Sequence, residues 1–434
     1  MLIAVMDMGA PPPIWLLAPF LLLIVSIALG PLLIPRIWER RYPLVSFTSA
    51  LVVAGYYLLI RKNNAPLVAT LEEYTSFISL IGSLYVVSGG IRIGVAGAST
   101  PIRNVGFLAL GALLANLLGT TGAAMLLIRP WIRMNRYRIT GHHIVFFIFI
   151  IANVGGCLTP IGDPPLFLGY LRGVPFLWTL QHLWGAWLFV VALILTVFYF
   201  FDRANFSRAP IDIQKKETEH ESFQIEGWKN LIFLGVILIA VMSRAWGVPW
   251  FVSDGMMIVS ALASHRLTSP SIHQSNEFTF GPLREVAWLF LGIFTTLVPV
   301  IHVLNASSHN AGQLSPLQYY WMTGTLSSFL DNAPTYLTFL TLALNLHEPA
   351  FHLFHSSEVA QFSIEYPANL IAISLGAVFF GAATYIGNGP NLMIKSIAES
   401  SKIHMPSFFG YIFRFTLPIL IPILGVAGWI FLRQ

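Results

Sequence analysis

Ala152-Asn153-Val154-Gly155-Gly156-Cys157-Leu158-Thr159-Pro160-Ile161-Gly162-Asp163-Pro164-Pro165 places glycines, prolines and a carboxylate inside a hydrophobic segment of membrane-spanning length. A regular helix does not pass through such a stretch, because proline removes backbone donors and glycine loosens the chain. In lipid, broken backbone is tolerated only where it is buried in protein or lines a wet cavity. A carboxylate at that depth is costly and marks an ion or substrate path. The second half carries a counterpart, Gly381-Ala382-Ala383-Thr384-Tyr385-Ile386-Gly387-Asn388-Gly389-Pro390-Asn391. Paired interruptions in two halves of a membrane chain point to a transport site.

Composition agrees with this reading. The 434 residues are 56% hydrophobic and only 10% charged, against about 25% charged in soluble proteins. Long apolar runs recur throughout, so the expected fold is an all-α polytopic membrane protein whose main partner is the lipid bilayer. The net charge of +5 lies in short connections and is no sign of a nucleic-acid partner. The single cysteine, Cys157, excludes an internal disulfide and a cysteine-based metal site. Met1 to Pro13 lacks the basic start of a cleaved signal peptide, so the first apolar run is expected to stay as a helix.

The apolar runs divide the chain into two repeats joined by a linker. Repeat one, 1–201, holds scaffold helices over 14–94, a re-entrant hairpin over 104–128 with Gly119-Thr120-Thr121-Gly122 at its tip, and a broken helix over 142–171. A polar cytoplasmic linker covers 202–228. Repeat two, 229–434, holds scaffold helices over 229–304, a hairpin over 316–347 with Leu330-Asp331-Asn332-Ala333-Pro334 at its tip, and a broken helix over 366–398. With the N-terminus outside, most of the 24 Lys and Arg fall in cytoplasmic connections, among them Arg36, Arg40 and Arg41 and the cluster from Arg129 to Arg138. The first hairpin then enters from the cytoplasm and the second from outside, beside connections 305–315 and 348–365 that hold no Lys or Arg. Thr159 to Pro165 lies over Thr384 to Pro390 at one constant offset. With opposite starting sides this is an inverted repeat.

At these residues the chain resembles the ion transporter superfamily, whose fold is shared by citrate and arsenite transporters, and most of all its NhaD-type sodium/proton antiporters. Asn153-Val154-Gly155-Gly156 with Thr159-Pro160-Ile161-Gly162-Asp163 is similar to the motif of that family's first broken helix, and Leu326-Ser327 through Pro334 to its outer-hairpin motif. Pro164-Pro165 departs from the hydroxyl residues that family favours after the aspartate, and the Ser-Asn-Thr pairs of the dicarboxylate branch are absent. The resemblance implies an elevator in which hairpins and broken helices move across a scaffold, a homodimer joined through the scaffolds, a bacterial inner membrane location, and no enzymatic activity.

The residues suggest how such a site works. Asp163 supplies a charge at a helix break, and Thr159, Asn153 and freed carbonyls are expected to complete a shell of hard oxygen ligands suited to sodium. A buried carboxylate holds either a proton or a cation, so sodium and protons are the expected cargo and no cofactor is needed. The plainer role for Asp163 is to cap the half-helix that follows it. Asp331 is the second candidate acid and sodium ligand, against an ordinary turn role. Asn332, Asn388, Asn391 and Thr384 offer neutral ligands, and Thr120 and Thr121 offer hydroxyls. Gly155, Gly156, Pro160, Gly162, Gly387, Gly389 and Pro390 break the helices, the glycines by unusual angles or close approach. His142-His143 reads as a helix start rather than a metal site, Lys395 as a side chain reaching for the interface, and Asp254 as interfacial. The alternative cargo is an anionic solute such as citrate, dicarboxylate or arsenite. Intramembrane aspartyl proteolysis fails because Pro160 stands where a Gly-x-Gly-Asp signature needs glycine.

Overall fold

The computed structural model of the chain describes residues 11–94, 99–208, 224–307, 313–347 and 356–433. Residues 1–10, most of the expected linker (209–223) and parts of the connections 305–315 and 348–365 lie outside the described residues.

In chain order the helices are α1 (Ala18–Leu33), α2 (Pro35–Gly55), α3 (Ala65–Gly89), α4 (Pro101–Met134), α5 (Gly141–Ile150), α6 (Pro164–Arg172) and α7 (Trp178–Phe206). There follow α8 (Asn230–Ser243), α9 (Trp250–Leu267), α10 (Pro270–Ser275), α11 (Gly281–Ser307), α12 (Pro316–Ser327), α13 (Asn332–His347), α14 (Ser356–Glu365), α15 (Pro367–Phe380), α16 (Gly389–Ser400) and α17 (Phe408–Leu432). A short antiparallel ribbon pairs β1 (Arg92–Gly94) with β2 (Gln224–Glu226). Among the described residues seven helices are long and apolar enough to cross a membrane. The protein is an all-α polytopic membrane protein.

Burial sorts these helices. Every residue of α5 from His143 to Ile150 is buried, as is α15 from Leu370 to Phe380 apart from Ile371. A helix apolar on all sides belongs inside a larger assembly of helices. By contrast α1, α2, α8, α9 and α17 show exposed leucine, isoleucine, valine and phenylalanine, such as Leu22 at 65%, Val259 at 65% and Phe413 at 65%. In a bilayer these faces meet acyl chains.

Length and composition would let α4, at 34 residues, cross the membrane as one rod. Such a rod is about 50 Å long. Its ends meet instead: Asn104 Nδ2 donates to Asn135 Oδ1 at 2.8 Å. The chain reverses at Gly119, whose φ of 72° and ψ of 155° leave the helical region. That conformation favours glycine, which has no Cβ to clash. The first expected hairpin is therefore present, and extends beyond 104–128 at both ends. The second is α12 and α13, joined by 328–331, with the Tyr319 and His347 rings 6.2 Å apart at its base.

Three details depart from the sequence reading. The basic residues Arg36, Arg40 and Arg41, expected in a connection, belong to α2, which starts at Pro35; proline suits the first helical position. Asp202, expected to open the polar linker, ends a buried face of α7 and is fully buried. It is ion-paired to Arg138, hydrogen-bonded by Asn104 Nδ2 at 2.8 Å, and 3.0 Å from His143 Nε2. Asp254, expected at the interface, is 3% exposed and bound by Arg244 and Ser76. In both cases an acid is buried because an arginine meets it, Arg138 from 64 residues away for Asp202 and Arg244 from 10 residues away for Asp254.

Candidate ion and substrate site

Both long inner segments break where expected. In the first, α5 ends at Ile150, a tight turn covers Val154–Leu158, and α6 starts at Pro164. In the second, α15 ends at Phe380, Gly381–Ala383 turn, and α16 starts at Gly389. Asp163 and Asn388 precede the second half-helices in nearly the same extended backbone, φ/ψ −142°/142° and −152°/138°.

The same hydrogen bonds recur at the two breaks. Thr159 Oγ1 donates to Asn116 O in the first hairpin at 2.6 Å, and accepts from Gly162 N at 3.1 Å. Thr384 Oγ1 donates to Ser328 O in the second hairpin at 2.5 Å, and accepts from Gly387 N at 3.1 Å. These threonines therefore tie each break to its hairpin; they are not turned to the Asp163 carboxylate as ligands.

Carbonyls released by the breaks are likewise occupied. Gly155 O accepts from Asn116 Nδ2 at 2.7 Å and Trp187 Nε1 at 3.0 Å, and Leu158 O from Thr179 Oγ1 at 2.9 Å. In the second break Ala382 O accepts from the Tyr411 hydroxyl at 2.8 Å and Ala383 O from Thr416 at 2.6 Å. So α7 serves the first break and α17 the second. These donors satisfy backbone that a membrane interior would otherwise leave unpaired, and they remove those four carbonyls from the expected ion shell.

The two breaks meet through asparagines. Asn153 Nδ2 donates to Asn391 Oδ1 at 2.8 Å, while Asn388 Nδ2 lies 3.1 Å from both Asn153 Oδ1 and Ala152 O. Asn391 Nδ2 holds Gly381 O at 2.8 Å and Thr384 O at 2.9 Å.

Asp163, 1% exposed, stands beside this crossing. Its Oδ1 accepts from Thr120 Oγ1 at 2.9 Å and lies 3.5 Å from Asn388 Nδ2; its Oδ2 accepts from Asn332 Nδ2 at 2.6 Å. One carboxylate thus joins the first hairpin, the second hairpin and the second broken helix. It does not cap α6: the first two helical residues are Pro164 and Pro165, which have no N–H to offer, and no side-chain capping bond forms. The two prolines thereby leave the carboxylate free for the interior.

Among the described residues no cationic side chain hydrogen-bonds or ion-pairs with Asp163. The buried arginines among the described residues, Arg138 and Arg172, and the half-buried Arg244 are engaged elsewhere: Arg138 with Asp202, Arg172 with Glu73 at 2.7 Å, and Arg244 with Asp254. Lys395 lies 3.2 Å from Glu399 and over the Tyr385 ring. Neutral donors alone surround the Asp163 carboxylate. Burying an ionised carboxylate without a counter-charge costs several kcal/mol. Beside it, Asn332 Oδ1 is buried and has no hydrogen-bond partner, an unusual state for a buried acceptor.

Asp331 makes local bonds. Its Oδ1 accepts from Ala333 N at 3.1 Å and its carbonyl from Thr335 Oγ1 at 3.0 Å. It shapes the start of α13, and its neighbour Asn332 reaches Asp163. Thr121 hydrogen-bonds none of the described site groups, whereas Thr120 does so. Asn116, absent from the sequence reading, organises the first break with three of its atoms. A polar residue three positions before Gly119 in an apolar run was its signal.

His142, His143 and Asp202 have ligand atoms within 4.8 Å of one another. Both Asp202 oxygens, however, already accept from Arg138. The arrangement is that of an ion pair holding the base of the first hairpin.

The glycines differ in what they do. A Cβ on Gly156 would sit 2.5 Å from Thr120 Cγ2 and 2.7 Å from Gly162 O, and one on Gly387 2.7 Å from Gly381 O. On Gly389 it would meet nothing, and its φ is not positive, so neither expected reason for glycine applies there. Gly156→Ala should therefore destabilise the fold by about 1–3 kcal/mol, whereas Gly389→Ala should leave the packing undisturbed. Thermal unfolding of the two variants in detergent checks the contrast; equal midpoints would contradict the crossing described here.

A chain built of broken helices and hairpins that converge on a buried acid has the construction of a membrane transporter. The protein belongs to the family described as "Putative citrate transport", a transporter family of the ion-transporter type, which it matches over residues 9–432. It is also similar to a protein described as an "Uncharacterized transporter" of Synechocystis, with 24% identity over 321 residues that cover 67% of this chain and 69% of that protein.

Proposed function

We propose that this protein is a secondary transporter in which Asp163 binds a proton and a monovalent cation in alternation, and that its cargo is sodium exchanged for protons. The observation that carries this reading is the buried carboxylate with Thr120, Asn332 and Asn388 around it and no basic residue within reach. Such a group is balanced by a positive charge, and with no fixed one beside it among the described residues a mobile one takes that place. The unpartnered Asn332 Oδ1 adds a second hard oxygen suited to a cation. The recurrence of one hydrogen-bond scheme at Thr159 and Thr384 supports an inverted repeat, and hence alternating access from the two sides. The hairpins and broken helices are then the moving part of an elevator, in a bacterial inner membrane with the N-terminus outside, and the scaffold helices join two protomers.

A second reading has its own support. The family is described by citrate transport, and Gly389, first residue of α16, is exposed with open space beside it. A half-helix N-terminus draws a carboxylate group by its dipole and N–H donors; here Pro390 has no N–H and Asn391 N already donates to Asn388 O at 3.1 Å, which leaves the Gly389 N–H and the dipole. In that reading Asp163 carries the coupling cation or proton while an anionic solute such as citrate rests at α16. Proteoliposomes with a preset pH gradient separate the two. Antiport predicts that sodium or lithium alone dissipates the gradient. A citrate carrier predicts uptake of labelled citrate and no response to sodium without it.

A further inference from the structure

Two helix starts lie side by side at one end of the molecule. α2 and α11 run parallel: a Cβ on Gly292 would lie 3.0 Å from Ser46 Cα, and the Tyr57 hydroxyl is 3.2 Å from His302 Nδ1. Along the N-terminal halves of these helices is a groove of about 440 Å³ lined by Arg40, Arg41, Pro43, Leu44, Phe47 and Trp288. No carboxylate is among these lining residues; Glu39 and Glu285 stand at the same end outside it. Arg40 and Arg41 are exposed and form no ion pair among the described residues. Phe47 and Trp288 meet edge to face, 6.4 Å between ring centres, and floor the groove with Leu44.

We propose that this groove binds an anionic phospholipid of the surrounding bilayer. Guanidinium groups pair with phosphate oxygens in forked geometry, and the apolar floor continues from them toward the hydrocarbon, where an acyl chain lies. Two features favour an anionic lipid over a choline lipid. Paired arginines repel a choline ammonium, and the groove offers no carboxylate to receive one. Basic pockets between transmembrane helices are the usual form of such sites. The site belongs to α2 and α11 and is independent of the cargo carried at Asp163.

The test uses the full chain purified in mild detergent, with native mass spectrometry against phosphatidylglycerol and phosphatidylcholine. The wild type is expected to retain phosphatidylglycerol selectively, and Arg40→Gln/Arg41→Gln to lose roughly 10- to 30-fold of that affinity. Arg208→Gln, which removes an exposed arginine elsewhere, is expected to bind like the wild type. Arg40→Lys/Arg41→Lys, which keeps the charge, covers the case in which the double glutamine variant does not fold, and is expected to keep the preference for the anionic lipid with lower affinity. Equal retention of the two lipids by the wild type would overturn the proposal. So would phosphatidylglycerol binding unchanged by the glutamine pair, or weakened as much by Arg208→Gln.

Discussion

Asp163→Asn is expected to abolish coupled transport while the protein still folds. Asparagine occupies the equivalent position of the second break, as Asn388, in nearly the same backbone conformation, so the backbone accommodates the substitution, and the new amide N–H can be met by the unpartnered Asn332 Oδ1 if that side chain turns over. The loss is chemical. An amide neither takes up a proton near neutral pH nor supplies the charge that holds a bare cation among Thr120, Asn332 and Asn388. Removing one partner of a buried charge pair costs about 3–5 kcal/mol, which is about a 100-fold loss of occupancy or more. Gradient dissipation in proteoliposomes should fall to the level of empty vesicles, with an elution profile in detergent like that of the wild type. Both cargo readings require this result, because each uses Asp163 as the seat of the coupling ion.

Asp202→Ala should produce the largest loss of stability. Arg138 is buried beside Asp202, with 2% of its side chain exposed, and the same carboxylate receives Asn104 and faces His143. Without it the guanidinium is left in the interior with no counter-charge, at a cost of about 3–5 kcal/mol. The network ties the two ends of α4 to α5 and α7, so the first hairpin should loosen at its base. A fall in thermal midpoint in detergent, partly recovered by Arg138→Met in the same chain, is the expected pattern. A midpoint within a degree of the wild type would show that the ion pair carries no load. Asp202→Asn should cost less, since it keeps an acceptor for Arg138 but not the charge.

What the sequence revealed was whatever leaves a local mark. Glycine and proline clustered inside apolar runs marked both breaks and the reversal at Gly119, because several such residues together weaken a helix more than the single prolines at Pro43, Pro130 and Pro299, which stand inside continuous helices. The carboxylate of Asp163 was conspicuous for the cost of placing it among Ile161, Leu166 and Phe167. The roles of Thr159 and Thr384 were not visible, since a threonine can turn to an ion or to a neighbouring carbonyl, and only the packed hairpin shows Asn116 O and Ser328 O waiting for them. For the same reason Trp187, Tyr411 and Thr416 went unnoticed: each satisfies a carbonyl more than 25 residues away in the chain. Asp202 and Asp254 read as surface residues because their arginine partners, Arg138 and Arg244, looked like ordinary loop charges.

On the proposed function, a proton and a metal cation compete for the carboxylate of Asp163. Proton release from the purified protein, followed with a pH indicator in weakly buffered detergent as sodium is added, tests it most directly. The account predicts about one proton released per sodium bound by the wild type, because the site holds one or the other, and none from Asp163→Asn. Proton release undiminished in that variant, or sodium binding without release by the wild type, would contradict it.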